Sequence, residues 1–361
     1  MYKKIAILGI VIVTITGCSR AKEKVESQSN IDAALANSLG NTYYPVIMRN
    51  VNKDRNEYYA SLADTNDYLW IGRELEKLSS SHFATDSHYL AEGQYISQSD
   101  REELLKRTNL EVKSKTYPNS LQPDRGTSVG DVANPVMVNA LYEQDFYTDK
   151  KGKQLAGVSV AIVLDPKGDQ GAQLEKPMKD EDISNYGKQI IPKLYNYLNK
   201  KKELNKIPIQ ICVYQAANQI DSYTNGHYIL QSFHDGHLGE ISTLQTLSGF
   251  ITSDPITSID KKTPSEFEAL KLHLKGLSTD AIGVTGIANY KDKEIQNLTI
   301  TVVINVKTYG EQEFFVSGAS EALDSAFSEM FDVKMIVKAT NDVVAVIRKN
   351  KGHSIEVNTL Y

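Results

Sequence analysis

Cysteine is nearly absent from this chain of 361 residues, which contains only Cys18 and Cys212. One pair cannot make a disulfide-stapled fold, and a chain of this length can bury a sufficient core without one. Cys212 lies in an apolar, strand-like segment with no basic neighbour, which predicts a small buried side chain rather than a reactive thiol. The cysteine content therefore excludes a disulfide scaffold.

The familiar catalytic motifs are missing as well. The sequence has no nucleophile elbow, no phosphate loop ending in Lys-Ser/Thr, no histidine pair flanking a glutamate, and no dinucleotide glycine pattern followed by an acid. We therefore predict no catalytic residues and no cofactor, and a chain that is not an enzyme.

An excess of positive charge is also missing. Lys and Arg number 40 against 45 Asp and Glu, for a net charge of −5. Such a surface does not favour nucleic acids or anionic lipid headgroups. We expect no nucleic-acid partner, and membrane attachment has to come from something other than a basic patch. The remaining composition, with 24% charged and 41% hydrophobic residues, is that of a globular protein.

The apolar stretch near the N-terminus is too short to be a membrane span. Residues 5–15 are about half of the roughly 20 residues that a spanning helix needs. Lys3 and Lys4 precede this stretch, and it ends in Ile15-Thr16-Gly17-Cys18. A short basic segment, an apolar core and small residues before a cysteine are typical of a secretory signal peptide, here ending in a sequence that resembles a bacterial lipobox.

From this pattern we predict cleavage between Gly17 and Cys18, with residues 1–17 as the signal peptide. A diacylglyceryl group on the Cys18 thiol would then anchor the mature chain to the outer face of the cell membrane, because two acyl chains suffice for stable attachment. The alternative is an ordinary signal peptide followed by an incidental cysteine. Residues 18–42 are polar and lack aromatic side chains, which is typical of a flexible tether.

Residues 43–152 have the least regular pattern, and we expect an irregular, partly helical N-terminal region. Apolar residues at helical spacing predict a first helix there: Tyr68, Ile71, Leu75 and Leu78. Ser99 and Glu102 have the spacing of a capping box at the start of a second helix. Residues 117–132 predict an exposed loop, and the apolar residues of 135–147 predict a segment packed on the core.

Residues 153–361 have a clearer pattern, in which strand, helix, strand and strand occur twice, at about 153–238 and 280–361. The first series predicts strands at 155–164, 207–215 and 226–234 and a helix at 181–200. Pro192 lies inside that helix and should kink or divide it.

The second series predicts strands at 295–309, 333–338 and 343–348 and a helix at 317–331. A further helix is expected between the two series, at 264–277, with Thr263 as its cap. The predicted fold class is α+β, with mainly antiparallel sheets and helices packed on one face.

Two groups of histidines are weak candidates for a polar site. His234-Asp235-Gly236-His237 could supply two metal ligands, but histidines three residues apart often occur by chance, and a solvated turn explains them better. His82, Asp86 and His88 are expected to form a surface loop. Ser317 or Ser320 could be a nucleophile at the start of the last helix, where serines are more often caps.

Tyrosine is the one abundant aromatic residue, with 20 Tyr against 9 Phe and 1 Trp. Several tyrosines lie in the irregular region: Tyr43, Tyr44, Tyr58, Tyr59, Tyr142 and Tyr147. An apolar ring with a polar tip suits either a binding surface or packing between loops and a sheet, and the pattern leaves both open.

Taken in order, several features resemble the CamS family of sex-pheromone-precursor lipoproteins of staphylococci and related Gram-positive bacteria. They are the lipobox, the tether, Tyr43-Tyr44-Pro45, the segment 141–147, the strand 157–164 and the closing strand, helix and hairpin. The resemblance implies two products, a lipoprotein and a hydrophobic peptide trimmed from the signal peptide. In this sequence the peptide is Val11-Ile12-Val13-Thr14-Ile15-Thr16-Gly17, which has no charged side chain.

Three functions follow as hypotheses. The first is an extracellular lipoprotein whose signal peptide yields a pheromone and whose folded part binds an unknown ligand or protein. The second is a cell-envelope hydrolase that uses the 234–237 turn or a serine of the 317–320 segment. The third is a surface adhesin or scaffold that acts through tyrosine-rich loops.

Overall fold

The computed structural model describes residues 44–47, 68–107, 116–217 and 225–360. The predicted signal peptide, Cys18 and the tether lie outside these ranges, as do Tyr43, Tyr58 and Tyr59. None of the helices among the described residues combines the length and the apolar character needed to cross a membrane.

The described residues contain six helices and fifteen strands. The helices are α1 (Tyr68–Ser79), α2 (Gln98–Leu105), α3 (Asp180–Leu198), α4 (Asp254–Ile259), α5 (Lys262–Gly276) and α6 (Tyr309–Ser325). The strands are β1 (Val46–Ile47), β2 (Tyr89–Glu92), β3 (Ser128–Val129), β4 (Val132–Ala133), β5 (Val136–Tyr147), β6 (Leu155–Lys167), β7 (Ile209–Gln215), β8 (His227–His234), β9 (Ile241–Thr243), β10 (Thr246–Phe250), β11 (Gly283–Lys291), β12 (Glu294–Ile304), β13 (Asp332–Ala339), β14 (Asp342–Lys349) and β15 (Glu356–Thr359).

Sheet 1 has the strand order β1-β2-β5-β6-β7-β8-β9. Its central strands β6 and β7 are parallel, because α3 carries the chain back between them, and the other pairs apart from β1–β2 are antiparallel. β6 is buried along most of its length, which fits a strand covered on both faces. Helices α2 and α3 pack on one face, and α1 packs on the other through Ile71 and Leu75.

Sheet 2 has the strand order β10-β11-β12-β13-β14-β15. Here too the two central strands, β12 and β13, are parallel and flank a helix, α6, while the other pairs are antiparallel. Helices α5 and α6 bury one face, so that alternate residues of β12 are buried, as in Leu298, Ile300 and Val302. The opposite face carries threonine, asparagine and lysine side chains that stay partly exposed.

The predicted α+β class with mainly antiparallel sheets is confirmed. Sheet 2 has its long helices on one face, as expected, whereas sheet 1 has the additional helix α1 on its second face. The segment 135–147, expected to pack on the core, is the buried strand β5. Most of the predicted strands and helices of residues 153–361 are present, with ends that differ by a few residues.

Three local predictions, each about the start of a helix, were wrong. The capping box of α2 is formed by Ser97 and Asp100, two residues before the predicted pair of Ser99 and Glu102. Asp100 is held at that position because it accepts hydrogen bonds from Tyr197 and Lys201, so a tertiary contact selects among neighbouring serines and acids. In α5 the carboxylate of Asp260 caps the first turn instead of Thr263, which is buried inside the helix.

The last helix also begins earlier than predicted. α6 starts at Tyr309 with Thr308 as its N-cap, whereas the sequence pattern placed the start at Ser317. Pro192 does not divide α3, which runs without a break from residue 180 to residue 198. The loop at 117–132 is exposed at residues 124–128, 130 and 131, as predicted, and is anchored at Leu121 and Gln122, both of which are buried.

Candidate binding cleft

The two faces of helix α1 differ in what they contact. Its apolar face, with Ile71 and Leu75, is fully buried against sheet 1. Three hydrogen bonds from sheet 1 fix the helix in place: Ser79 Oγ lies 2.8 Å from Ser159 Oγ, Gln144 Nε2 donates to the Gly72 carbonyl at 2.8 Å, and Tyr228 Oη donates to the Ile71 carbonyl at 2.8 Å. The opposite face of α1 is therefore held as a rigid wall.

That opposite face lines a cleft between the two sheets. Trp70, Glu74, Lys77 and Leu78 share the helical stripe that faces the cleft. The cleft has a volume of about 320 Å³. The start of β8 forms a second wall, and Thr246 Oγ1 donates a hydrogen bond to the Tyr228 carbonyl at 2.5 Å, which joins the beginning of β10 to that wall.

The floor of the cleft is one row of side chains across sheet 2. In the strand register Ser248 pairs with Asn289, Asn289 with Asn297, and Asn297 with Asp332. Paired residues on neighbouring strands point to the same side of a sheet. The four side chains therefore form a continuous polar row on the face that α5 and α6 leave uncovered, and all four line the cleft.

Hydrogen bonding within this row leaves donor and acceptor groups available. Asn289 Nδ2 donates one of its two hydrogens to Asn297 Oδ1 at 2.6 Å, and Asn289 Oδ1 and Asn297 Nδ2 have no hydrogen-bond partner among the described residues. Ser248 Oγ also has no partner within the described part of the chain, but this atom is buried and does not face a ligand. The floor can therefore offer both an acceptor and a donor to a bound molecule.

The charges of the cleft balance. Lys77 Nζ lies 2.5 Å from Glu74 Oε1 and 5.6 Å from the centre of the Trp70 ring. Lys291 and Asp332 add one charge of each sign. Burial lowers the pKa of His227, so its imidazole is neutral at pH 7. A neutral cleft with an aromatic wall and an amide floor suits an uncharged polar ligand better than an ion.

A second polar cluster lies inside sheet 1, away from the cleft. On β5, Glu143 accepts backbone hydrogen bonds from Tyr95 and Ile96, each at 2.9 Å, and Asp145 accepts one from Gln94 at 3.1 Å. The two carboxyl groups lie two residues apart on the same strand and interact electrostatically. Burial and the Glu143 charge raise the pKa of Asp145 well above its usual value.

This carboxyl pair has a structural role. It ties the loop before α2 to the middle of sheet 1 and leaves no path to a ligand, because both side chains are almost completely buried. The sequence segment 141–147 therefore serves packing and hydrogen bonding rather than chemistry on a substrate.

The histidines of the 234–237 turn are separated by the fold. His234 is completely buried, stacks on Tyr195 at 4.4 Å between ring centres, and accepts a hydrogen bond from the Gly239 N–H at Nδ1. Its Nε2 then carries the proton and donates to Ser232 Oγ at 2.9 Å. Burial lowers the pKa of His234 to about 4. His237 is exposed and bonds to the Asp235 carbonyl at 2.7 Å.

The other sequence candidates do not meet at one place. Ser317 and Ser320 lie in the middle of α6 rather than at its start. His82 stacks on Phe233 with ring centres 3.9 Å apart, and His88 bonds within its own loop. Among the residues that the structure describes, no three His, Cys, Asp or Glu side chains come together in a way that could hold a metal ion.

The described tyrosines of the irregular region pack inside the first sheet. Tyr44 and Tyr147 are buried, and the Tyr44 hydroxyl donates to the Phe83 carbonyl. Tyr142 lies against α1 at Gly72, where a Cβ atom would be 2.5 Å from the Tyr142 hydroxyl. Cys212 is free and fully buried, as its apolar neighbours predicted.

Sequence reasoning missed the cleft itself. The sequence predicted the helix α1 from its apolar residues alone. Trp70, the one tryptophan of the chain, lies next to these residues and was given no role. The four floor residues come from four strands and become a row only through the strand register. The alternation of polar and apolar residues in β12 was the one sequence signal that could have indicated an uncovered face.

Fold and site together define a class of protein. It is an α+β protein with two large sheets that share the arrangement of their central strands, a neutral cleft between these sheets, and no assembled metal centre within the described ranges. The model of the family described as CamS sex pheromone cAM373 precursor matches residues 51–354, and this chain belongs to that family.

Solved structures agree with the fold. A sex pheromone precursor from Lactobacillus salivarius subsp. salivarius UCC118 is 20% identical, with a TM-score of 0.75 over 89% of this chain and 97% of that chain. The C-terminal domain of the sex pheromone staph-cAM373 precursor from Staphylococcus aureus is 20% identical, with a TM-score of 0.66 over 80% of this chain and 94% of that one. No curated protein sequence matches the chain.

Proposed function

We propose that this chain is a lipoprotein precursor with two products, a membrane-anchored extracellular binding protein and a peptide released from its signal sequence. The binding role is carried by one observation, the neutral cleft that α1 and sheet 2 form. Anchoring is supported by the lipobox-like sequence before Cys18, and peptide release by membership of a pheromone-precursor family.

The two cysteines provide a test of the anchor with a built-in control. Cells that express the chain are labelled with a radioactive or clickable palmitate and then fractionated. We expect label and membrane association in the parent and in Cys212→Ser, because Cys212 is buried and unmodified. Cys18→Ser should lose the label. An unlabelled parent, or equal labelling of Cys18→Ser, would refute lipidation.

The peptide role is tested separately. Synthetic Val11–Gly17 is added to recipient cells that carry a pheromone-responsive plasmid, and cell aggregation and plasmid transfer are measured. A peptide of the same composition in scrambled order is the control, because its hydrophobicity is the same and only its sequence differs. The absence of a response to the native peptide at every dose would remove the pheromone role and leave the binding role standing.

The hydrolase alternative has no comparable support. His234 is buried in sheet 1 with both ring nitrogens engaged, and Ser320 lies in the middle of α6. The scaffold alternative is weakened because Tyr44 and Tyr147, two of the tyrosines on which it rests, are buried. A binding module is therefore the reading that the geometry of the described residues favours.

A further inference from the structure

We propose that the cleft between α1 and sheet 2 binds a glycan segment that carries N-acetylated amino sugars. This inference rests on the proposed role of the folded part as a binding module and specifies the chemistry of its ligand. Three features of the cleft carry the argument: the amide pair on its floor, the indole on its wall, and its neutral charge.

The amide pair matches an acetamido group. Besides the 2.6 Å bond from Asn289 Nδ2 to Asn297 Oδ1, the pair keeps the Asn289 carbonyl oxygen as an acceptor and the Asn297 NH₂ group as a donor. An acetamido substituent has one N–H and one carbonyl, so it can satisfy both groups at once. A plain hydroxyl-bearing sugar can reach either group but has no rigid amide to match the pair.

The indole supplies the complementary apolar contact. Trp70 lies on the stripe of α1 that faces the cleft, and α1 is held on sheet 1 by buried hydrogen bonds. The face of an aromatic ring is electron-rich, and the C–H groups on one side of a pyranose ring are weakly positive, which favours stacking. The wall therefore binds the sugar ring while the floor binds its substituent.

Charge and size argue for a short neutral segment. Glu74 and Lys77 neutralise each other, as do Lys291 and Asp332 in formal charge, so that a polyanion gains little from this cleft. The cleft volume of about 320 Å³ is close to the lower limit of the volumes of small-molecule sites, roughly 300 Å³. That space fits one or two sugar rings rather than a folded partner.

The single tryptophan makes the test direct, since all indole fluorescence of the chain comes from Trp70 at the cleft. The full-length chain, purified from membranes in mild detergent, is titrated with chitotriose. We expect a saturable change of the Trp70 emission and matching heat in calorimetry. Cellotriose, which has the same backbone without acetamido groups, should bind about tenfold more weakly or not at all.

Variants separate the cleft from the rest of the sheet. Asn297→Ala removes half of the amide pair and should weaken chitotriose binding about tenfold. Asn358→Ala changes an exposed asparagine of β15, the strand at the far edge of the same sheet, and should leave binding unchanged. Circular dichroism and thermal unfolding of each variant establish that a loss of binding is not a loss of fold.

The outcomes distinguish the ligand class from the binding role. Equal affinity for chitotriose and cellotriose, or no loss in Asn297→Ala, would overturn the acetamido assignment. A Trp70 response to the synthetic peptide Val11–Gly17 or to a cell-wall stem peptide, with none to chitotriose, would overturn the glycan proposal and keep the binding module. No response to any of these probes would overturn the glycan proposal and remove the support for the cleft as a binding site.

Discussion

Sheet 1 and sheet 2 have the same central topology, yet they differ in what their interiors contain. In each sheet one helix connects the two central parallel strands, and an antiparallel strand lies on either side of that pair. The chain order is β5-β6-α3-β7-β8 in sheet 1 and β11-β12-α6-β13-β14 in sheet 2. The apolar clusters beneath the two helices are similar in kind, built from Leu, Ile, Val and aromatic side chains. The difference lies in the polar residues that each buries.

Buried polar and charged residues are concentrated in and around sheet 1. Among the described residues they are Ser79, Asp100, Gln122, Glu143, Gln144, Asp145, Ser159, Gln210, Ser232 and His234, against Thr263 and Gln312 around sheet 2. A buried polar group without a partner costs about 1–3 kcal/mol, so each one needs a defined hydrogen bond. The same topology thus supports an interior with many buried polar side chains in one sheet and a nearly apolar interior in the other.

The comparison also explains how the cleft is divided between the sheets. The buried polar groups of sheet 1 include the donors and acceptors that hold α1, the wall of the cleft. Sheet 2 keeps its polar side chains on the uncovered face, where they form the floor. We infer that sheet 1 holds the helix α1 in position, and that sheet 2 supplies side chains that contact a ligand.

The largest effects are expected from equivalent leucines under the two helices. Leu194 in α3 and Leu323 in α6 are completely buried, and replacing either with alanine should cost about 2–5 kcal/mol of unfolding free energy. Hydrogen exchange should show the loss of protection mainly in sheet 1 for Leu194→Ala and mainly in sheet 2 for Leu323→Ala. Equal loosening of both sheets by either variant would show that they unfold as one cooperative unit.

The next largest effect tests the polar interior of sheet 1. Glu143→Leu removes the acceptor for the Tyr95 and Ile96 N–H groups and should cost about 2–4 kcal/mol, measured by chemical denaturation. Asp145→Asn is the control, because an amide still accepts from Gln94 and carries no charge beside Glu143. In sheet 2, Gln312→Leu should cost less than about 1 kcal/mol.

The raised pKa of Asp145 also predicts how the stability of Asp145→Asn, relative to the parent, changes with pH. The folded pKa of Asp145 is raised, so its protonated form stabilises the fold fully below the unfolded value of about 4, and this contribution declines as the pH rises through the folded value. The stability of Asp145→Asn relative to the parent should therefore increase with pH. A constant difference across the pH range would contradict a proton on Asp145.

His234 should make the fold sensitive to acid. Its folded pKa is lowered to about 4, so the neutral ring stabilises the fold above the unfolded value of 6.5, and this contribution is lost as the pH falls from 6.5 through about 4. At about 1.36 kcal/mol per pKa unit the loss is at most about 3 kcal/mol. His234→Gln should flatten the decline in unfolding free energy between these pH values.

The exposed neighbour provides the comparison for that experiment. His237→Gln should change the acid profile of the parent less than His234→Gln, because burial is the main cause of the lowered His234 pKa and the charge of the exposed His237 is the smaller one. If His234→Gln and the parent lose stability in parallel between pH 6.5 and about 4, another group carries the acid response.

The smallest effects are expected at the helix caps, where the two sheets should behave alike. Ser97 caps α2 near sheet 1 and Thr308 caps α6 on sheet 2, and each accepts a backbone hydrogen bond through its side chain. Alanine at either position should lower the thermal stability by about 1 kcal/mol. Ser99→Ala, at the position that the sequence pattern suggested as the cap, should have no comparable effect.

Several elements could be predicted from the sequence because their signals are local. The apolar runs of β6 and β7, the stripe of α3 and the hairpin of β13 and β14 depend on residue type and period alone. The start of α6 was missed although Thr308 and Glu311 have the spacing of a cap, because the apolar run of β12 was extended through residue 309. The cap of α2 could not be chosen locally, since Tyr197 and Lys201 decide it from α3 and the turn that follows.

By itself the sequence determined the short apolar segment near the N-terminus, the α+β class and the repeated order of strand, helix, strand and strand, because side-chain period and polarity act over neighbouring residues. Only the tertiary structure decided that Glu143 and Asp145 are buried together, that His234 is buried, and that Trp70, Asn289 and Asn297 line one cleft. These relations depend on which strands become neighbours and on the burial that follows, and residues so far apart in the chain meet only when the sheets pack.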